Sequence, residues 1–215
     1  MARIYIFARF ERFWHWAQAL LIIGMLITGF EIHGSYTLLG FEGAHSVHTT
    51  AAWALITLWV FAIFWHFTTG EWRQYIPTMK NIDKIVRFYA VGIFRGEPHP
   101  YRVSEETNFN ALQALSYWFI MYMVMPLMLL SGLLFLFPEF APDRVFGFDG
   151  LLPVAVVHYL TGAVIVMFMI AHIYLGTTGT TVTSMFKTMI NGWHEHVGPE
   201  ESRHGDRRHA DRRGS

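Results

Sequence analysis

The chain has 215 residues, of which 53% are hydrophobic, 17% aromatic and only 15% charged, and its formal net charge is zero. Its mean hydropathy is +0.31, a balance that suits a membrane protein with interfacial aromatic belts and not a soluble domain. Balanced charge leaves no electrostatic footprint for nucleic acid, and the absence of cysteine excludes a CxxCH haem attachment, an iron–sulfur cluster and a disulfide framework.

The N-terminus, MARIYIFARFERFWHWAQALLIIGML, has a basic start and an apolar run, as a signal peptide does. No small-residue cleavage site follows, and His15 and Gln18 interrupt the run, so it reads as an uncleaved first transmembrane helix. That first span covers residues 13–30 and opens on Trp14, His15 and Trp16. A second covers residues 47–67. The connector that follows, residues 68–107, is too long for a simple loop. Within it Met79, Ile82, Ile85, Val86 and Tyr89 recur at helical spacing, with Lys80, Asp83, Lys84 and Arg87 on the other side. This pattern predicts an amphipathic helix lying on the cytoplasmic interface, ended by GEPHPY at 96–101. A third span covers residues 112–137, with a kink expected at Pro126, and a fourth covers residues 154–176. Each is long enough to cross a bilayer. The expected fold is therefore all-α, an integral membrane four-helix bundle over residues 1–197, followed by a disordered polar tail at 198–215 in which His204 and His209 are solvated. No internal repeat of consequence is expected.

Lysine and arginine set the orientation. Arg3, Arg9 and Arg12 precede span one. Arg73, Lys80, Lys84, Arg87, Arg95 and Arg102 follow span two, and Lys187 and five arginines follow span four. Arg144 alone of the sixteen lies in the other two connectors. The positive-inside rule then puts both termini in the cytoplasm, with Glu31, Glu42, Glu139, Asp143 and Asp149 facing the periplasm or exterior.

Span four carries His158 and His172, 14 residues apart. In an α-helix that offset returns to within roughly 40° and rises ~21 Å, so both imidazoles share a face near opposite edges of the hydrocarbon core. Intramembrane histidines need partners. His15 lies at the depth of His172, and His48 at the depth of His158. Two pairs at two depths suit two stacked b-type haems, each held by axial imidazoles; the alternative is hydrogen-bonded core histidines. Gly29, Gly132 and Gly162 would give a porphyrin edge room, or would simply ease helix packing. His45 is a shallower rival to His48. His66, 18 residues after His48 and on the same face, is expected to be accessory or structural, with haem ligation, a quinone site or an interfacial position as alternatives. His33, His99, His194 and His196 are expected to be interfacial or solvated.

Six stretches carry a family resemblance: FWHW at 13–16, SVHTTAAW at 46–53, HFTTGEWRQYIP at 66–77, NFNALQALSYW at 108–118, LLSG at 129–132, and His158 with Gly162 four residues on and His172 at +14. With these the chain resembles the di-haem cytochrome b membrane subunits of formate dehydrogenase (the gamma subunit), of thiosulfate reductase and, more distantly, of nickel–iron hydrogenase. HFTTGEWRQYIP is nearer the thiosulfate reductase branch. The resemblance implies His15 and His172 as ligands of an inner haem b and His48 and His158 of an outer one. It also implies a quinone, menaquinone or ubiquinone, near the inner haem at the start of span three, where Asn110 and Gln113 stand. Two amides there can hydrogen-bond a quinone carbonyl; helix capping is the other reading of Asn110. Arg9 and Arg12 become candidates for haem propionates, although the positive-inside rule explains them equally. The implied function is electron transfer between a periplasmic redox subunit, carrying iron–sulfur clusters or c-type haems, and the quinone pool. The location that the resemblance implies is the bacterial inner membrane, with membrane lipid as the surrounding partner. Two other readings stand beside it: a stand-alone b561-type cytochrome that oxidises quinol, and a haem-free histidine-rich metal transporter or membrane anchor. The last lacks the mid-membrane carboxylates that transport sites use.

Overall fold

The computed structural model describes residues 2–70, 72–73, 82–92, 95–97, 111–179 and 181–196. In chain order these form strand β1 (Ala2–Tyr5) and helices α1 (Arg9–Ile32), α2 (Gly40–Thr69) and α3 (Ile82–Arg87), the last running into a π-helical turn (Phe88–Gly92). Helix α4 (Ala111–Phe119) continues through a second π-helical turn (Ile120–Val124) into α5 (Met125–Leu136). A hairpin of β2 (Arg144–Val145) and β3 (Phe148–Asp149) then leads to α6 (Leu151–Gly176), α7 (Ser184–Asn191) and β4 (Trp193–His196). Among the described residues four helices are long and apolar enough to cross a membrane: Arg9–Ile32, Gly40–Thr69, Ala114–Leu136 and Leu151–Gly176. The four-span helical architecture expected from the apolar runs is present.

The first two spans extend beyond their apolar runs, because their end turns carry interfacial polar groups. Helix α1 starts at Arg9, where Glu11 reaches back to accept the Ala8 N–H at 2.8 Å, the reciprocal half of a capping box. Helix α2 has no side-chain cap of its own at Leu39. Its cap is Glu31, whose Oε1 accepts the N–H groups of Leu38, Leu39 and Gly40 at 2.6, 2.6 and 2.8 Å. Expected only to face the exterior, Glu31 instead is 5% exposed and ties the end of one span to the start of the next. A carboxylate is favoured at a helix N-terminus, where N–H groups lack intrahelical partners. Glu31→Ala should therefore lower the thermal midpoint by several degrees, whereas Glu42→Ala, on the exposed first turn of α2, should leave it in place; a melting curve in detergent distinguishes them.

Pro126 does not act alone on span three. The π-helical turn ends immediately before α5, and Pro126 occupies that helix's first turn. A wide turn there accommodates the ring and the missing N–H, which would otherwise break the α-helical ladder. The interfacial helix is described only from Ile82. Ile85 and Phe88, three residues apart and so on one face, are buried, and Val86 beside them is 46% exposed.

Two compact units make up the chain. In Ala17–His172 the core cluster is Leu55, Val124, Met125 and Ile165, with Leu21, Ile22, Met25, Leu58, Trp59, Ile120, Met128 and Val164 packed on it. All four spans contribute. Trp59 donates its indole N–H to Gln18 Oε1 at 2.8 Å, so the amide that interrupts span one satisfies an indole in span two. Outward-facing apolar side chains such as Phe64 and Phe67, each 68% exposed, are what a bilayer would cover.

The other unit joins the chain's two ends, Met1–Trp16 and Ile173–Ser215. Strand β1 pairs antiparallel with β4, Tyr5 opposite Trp193, and those two rings meet edge to face at 5.2 Å. Arg12 Nη1 donates to the Ile190 carbonyl and Trp16 Nε1 to the Met189 carbonyl. Neither this ribbon, nor α7, nor the β2–β3 hairpin was expected of an all-α chain. Residues 197–215, and with them the expected tail, lie outside the described residues.

Candidate functional site

His48 on α2 and His158 on α6 face one another. Their ring centroids are 6.4 Å apart, with the planes inclined at 59°. Each ring is gripped from behind by a different helix. His48 Nδ1 lies 3.0 Å from Thr28 Oγ1 on α1, and His158 Nδ1 lies 3.0 Å from Ser131 Oγ on α5. Both hydroxyls are also within reach of their own helix: Thr28 of the Gly24 and Met25 carbonyls at 2.9 and 3.3 Å, Ser131 of the Leu127 and Met128 carbonyls at 2.7 and 3.0 Å.

The adjoining glycines make this approach possible. A Cβ on Gly29 would stand 3.4 Å from His48 Cε1, and one on Gly132 3.3 Å from His158 Cε1. Gly29 and Gly132, expected either to make room for a porphyrin edge or to ease helix packing, here give room to the imidazoles. Gly162 faces Met128, whose Cε would lie 3.5 Å from a Cβ there. Phe135 closes the site edge-on to His158 at 5.6 Å.

Sequence reasoning missed Thr28 and Ser131, and a signal for them existed. Residues 25–29 read MLITG and residues 128–132 read MLLSG. The pentapeptide pattern recurs on two helices and each time presents a hydroxyl and a glycine to one histidine.

The remaining histidines sort as follows. His45 is exposed and stacks on Phe41 at 6.2 Å, so His48 is the member of that pair that faces α6. His33, expected to be interfacial, is exposed with its ring 4.9 Å from that of Tyr159. His66 is buried, with Nδ1 2.7 Å from the Ala62 carbonyl and its ring edge-on to Trp65 at 5.0 Å. His194 and His196 lie in β4. His99 is outside the described residues.

His172 ends the unit that holds the spans. Phe168 stacks on it at 5.7 Å, and Tyr117 meets it edge-on at 6.4 Å. Beside this cluster an apolar cleft of about 540 Å³ opens between α4 and α6, lined by Ser116, Trp118, Phe119, Val164, Met167 and Phe168 among others. Gln113 belongs to α4; Asn110 lies outside the described residues. His15 belongs to the terminal unit, half-buried and edge-on to Trp16 at 5.3 Å. Arg9 is exposed there, and Arg12 is half-buried and engaged with the Ile190 carbonyl.

The His48–His158 pair fits an axially ligated haem. A metal–imidazole bond of about 2 Å and roughly 1 Å from that nitrogen to the ring centre, taken twice, give a centroid separation of about 6 Å. With Nδ1 of each ring turned to a hydroxyl on a flanking helix, Nε2 is the nitrogen left for iron.

Residues 6–192 match the family described as prokaryotic cytochrome b561. The chain belongs to the prokaryotic cytochrome b561 family. It is similar to an Escherichia coli (strain K12) protein named "Putative cytochrome YdhU", with 31% identity over 201 residues, covering 90% of this chain and 76% of that one. No solved structure matches it. The cytochrome is thus a prokaryotic membrane protein that binds haem b and transfers electrons.

Proposed function

We propose that this cytochrome is the di-haem membrane subunit of an oxidoreductase complex, of the kind that serves formate dehydrogenase or thiosulfate reductase. It carries electrons between a periplasmic redox subunit and quinone on the cytoplasmic side. The observation that carries the reading is the facing pair His48 and His158, gripped by matching hydroxyl–glycine dipeptides on α1 and α5. His158 is followed 14 residues later by His172 on the same helix, and that spacing supports a second site about 21 Å deeper.

When bound, haem supplies the one-electron chemistry. The chain supplies the rest. His48 and His158 would hold the outer group, and His15 and His172 the inner one. Asn110 and Gln113 would hydrogen-bond the quinone carbonyls, and the apolar cleft beside His172 supports a site for a flat, lipophilic substrate. The concentration of Lys and Arg on one side sets both termini in the cytoplasm of the bacterial inner membrane. Quinone reduction there takes up cytoplasmic protons, so the circuit is electrogenic when electrons arrive from outside. The cysteine-free chain leaves iron–sulfur clusters to the partner.

A dithionite-reduced minus oxidised spectrum of the purified cytochrome, quantified as the pyridine haemochrome, tests this. About two haem b per chain, both reducible by a quinol analogue, is the expected result. One haem per chain, or two that quinol does not reduce, would overturn the di-haem quinone-linked reading.

A further inference from the structure

We infer that Thr28 and Ser131 are positioning residues of the outer haem site, fixing the proton of each axial histidine on Nδ1 and thereby setting the potential of the group held there. The inference rests on the reading that His48 and His158 hold the outer haem.

A hydroxyl has one proton to donate and lone pairs to accept with. Thr28 and Ser131 are each 3% exposed, so no water competes for them. Each has carbonyls of its own helix within hydrogen-bond reach, at 2.9 Å for Thr28 and 2.7 Å for Ser131. We assign each hydroxyl proton to the carbonyl of its own helix, which can only accept, as serine and threonine do in apolar helices. The imidazole Nδ1 atoms, 3.0 Å from the same oxygens, then act as donors. Both imidazoles therefore carry Nδ1–H and offer the Nε2 lone pair. The partner of a ligating histidine sets ring orientation and ligand basicity. A carboxylate in that role would draw strongly on the proton and favour the oxidised metal. A hydroxyl already donating to its helix is a neutral and weaker acceptor. Because MLITG and MLLSG place the same acceptor behind both ligands, the two sides of the site are tuned alike.

The test is a redox titration of the haem α-band, with low-temperature EPR of the oxidised protein, on Thr28→Val and Ser131→Ala. Thr28→Ser and Ser131→Thr serve as conservative variants, and His48→Ala marks which spectral component is the outer haem. Valine and alanine remove the acceptor, so ligand basicity falls and the potential rises. At fixed ambient potential the reduced-to-oxidised ratio of the outer component should increase threefold to tenfold in each, tenfold being about 59 mV for one electron. The EPR signal of the outer haem moves with it, the inner component stays in place, and the conservative variants match the parent. Haem loss in Thr28→Val with retention in Thr28→Ser also supports the assignment. If His48→Ala removes a component that the Thr28→Val/Ser131→Ala double variant does not move, the positioning role falls and the outer site stands. Equal effects of valine and serine at position 28 likewise reduce Thr28 to packing. If His48→Ala leaves both components, the site itself is misassigned and the inference falls with it.

Discussion

Replacing either His48 or His158 by alanine should halve the haem content of the purified cytochrome, from the proposed two haem b per chain to one. Each imidazole is one of a facing pair 6.4 Å apart, and a haem b held between them would be ligated from both sides. Removing one ring leaves an apolar slot with one imidazole. The bundle itself should survive. Leu55, Val124, Met125 and Ile165 form the core cluster, and neither histidine is among them. Pyridine haemochrome quantitation against protein concentration gives the stoichiometry, and size exclusion with circular dichroism shows whether the fold is kept. His45→Ala is the control: its ring is exposed and lies on Phe41, so both haems should remain. Two haems retained in His48→Ala would remove His48 from the ligand set.

Gly132→Leu should lose the same haem without touching a ligand. A Cβ at position 132 stands 3.3 Å from His158 Cε1, so alanine already requires the ring to give by a few tenths of an ångström. Leucine places three further carbons there. The imidazole then leaves Ser131 Oγ, 3.0 Å away, and rotates off its ligating position. Overpacking of this kind costs about 1–3 kcal/mol in folding stability, which a bundle can survive while its cofactor site does not. Gly29→Leu, against His48 at 3.4 Å, should act in the same way. Gly162→Ala meets only the end of the flexible Met128 side chain at 3.5 Å and should keep both haems. The graded series from glycine to alanine to leucine, followed by haemochrome content, separates crowding of the ring from a general effect of side chains on helix packing.

What the sequence made legible follows from range. A span announces itself through one continuous apolar run, and all four are where those runs lie. Their ends were less legible, because the end turns hold Arg9, Glu31 and Glu42, polar groups that hydropathy counts against a helix. His48 and His158 stood out because imidazole at membrane depth is costly. Thr28 and Ser131 did not, since a hydroxyl in an apolar helix satisfies itself on its own carbonyls and so carries no message in isolation. Only its recurrence in MLITG and MLLSG, with glycine beside it, distinguishes it from ordinary helix composition. The pairing of Ala2–Tyr5 with Trp193–His196 left no local trace, because it joins segments nearly the whole chain apart.

The ribbon that joins the two ends also sets an order of biosynthesis. The strand partner of Tyr5 is Trp193, and the carbonyls that receive Arg12 and Trp16 belong to Ile190 and Met189. A nascent chain emerging from the ribosome has both rings of the His48–His158 site once residue 158 is made. This terminal unit, although its first strand is among the first residues translated, remains open until the last described strand arrives. Insertion of the spans therefore precedes its closure.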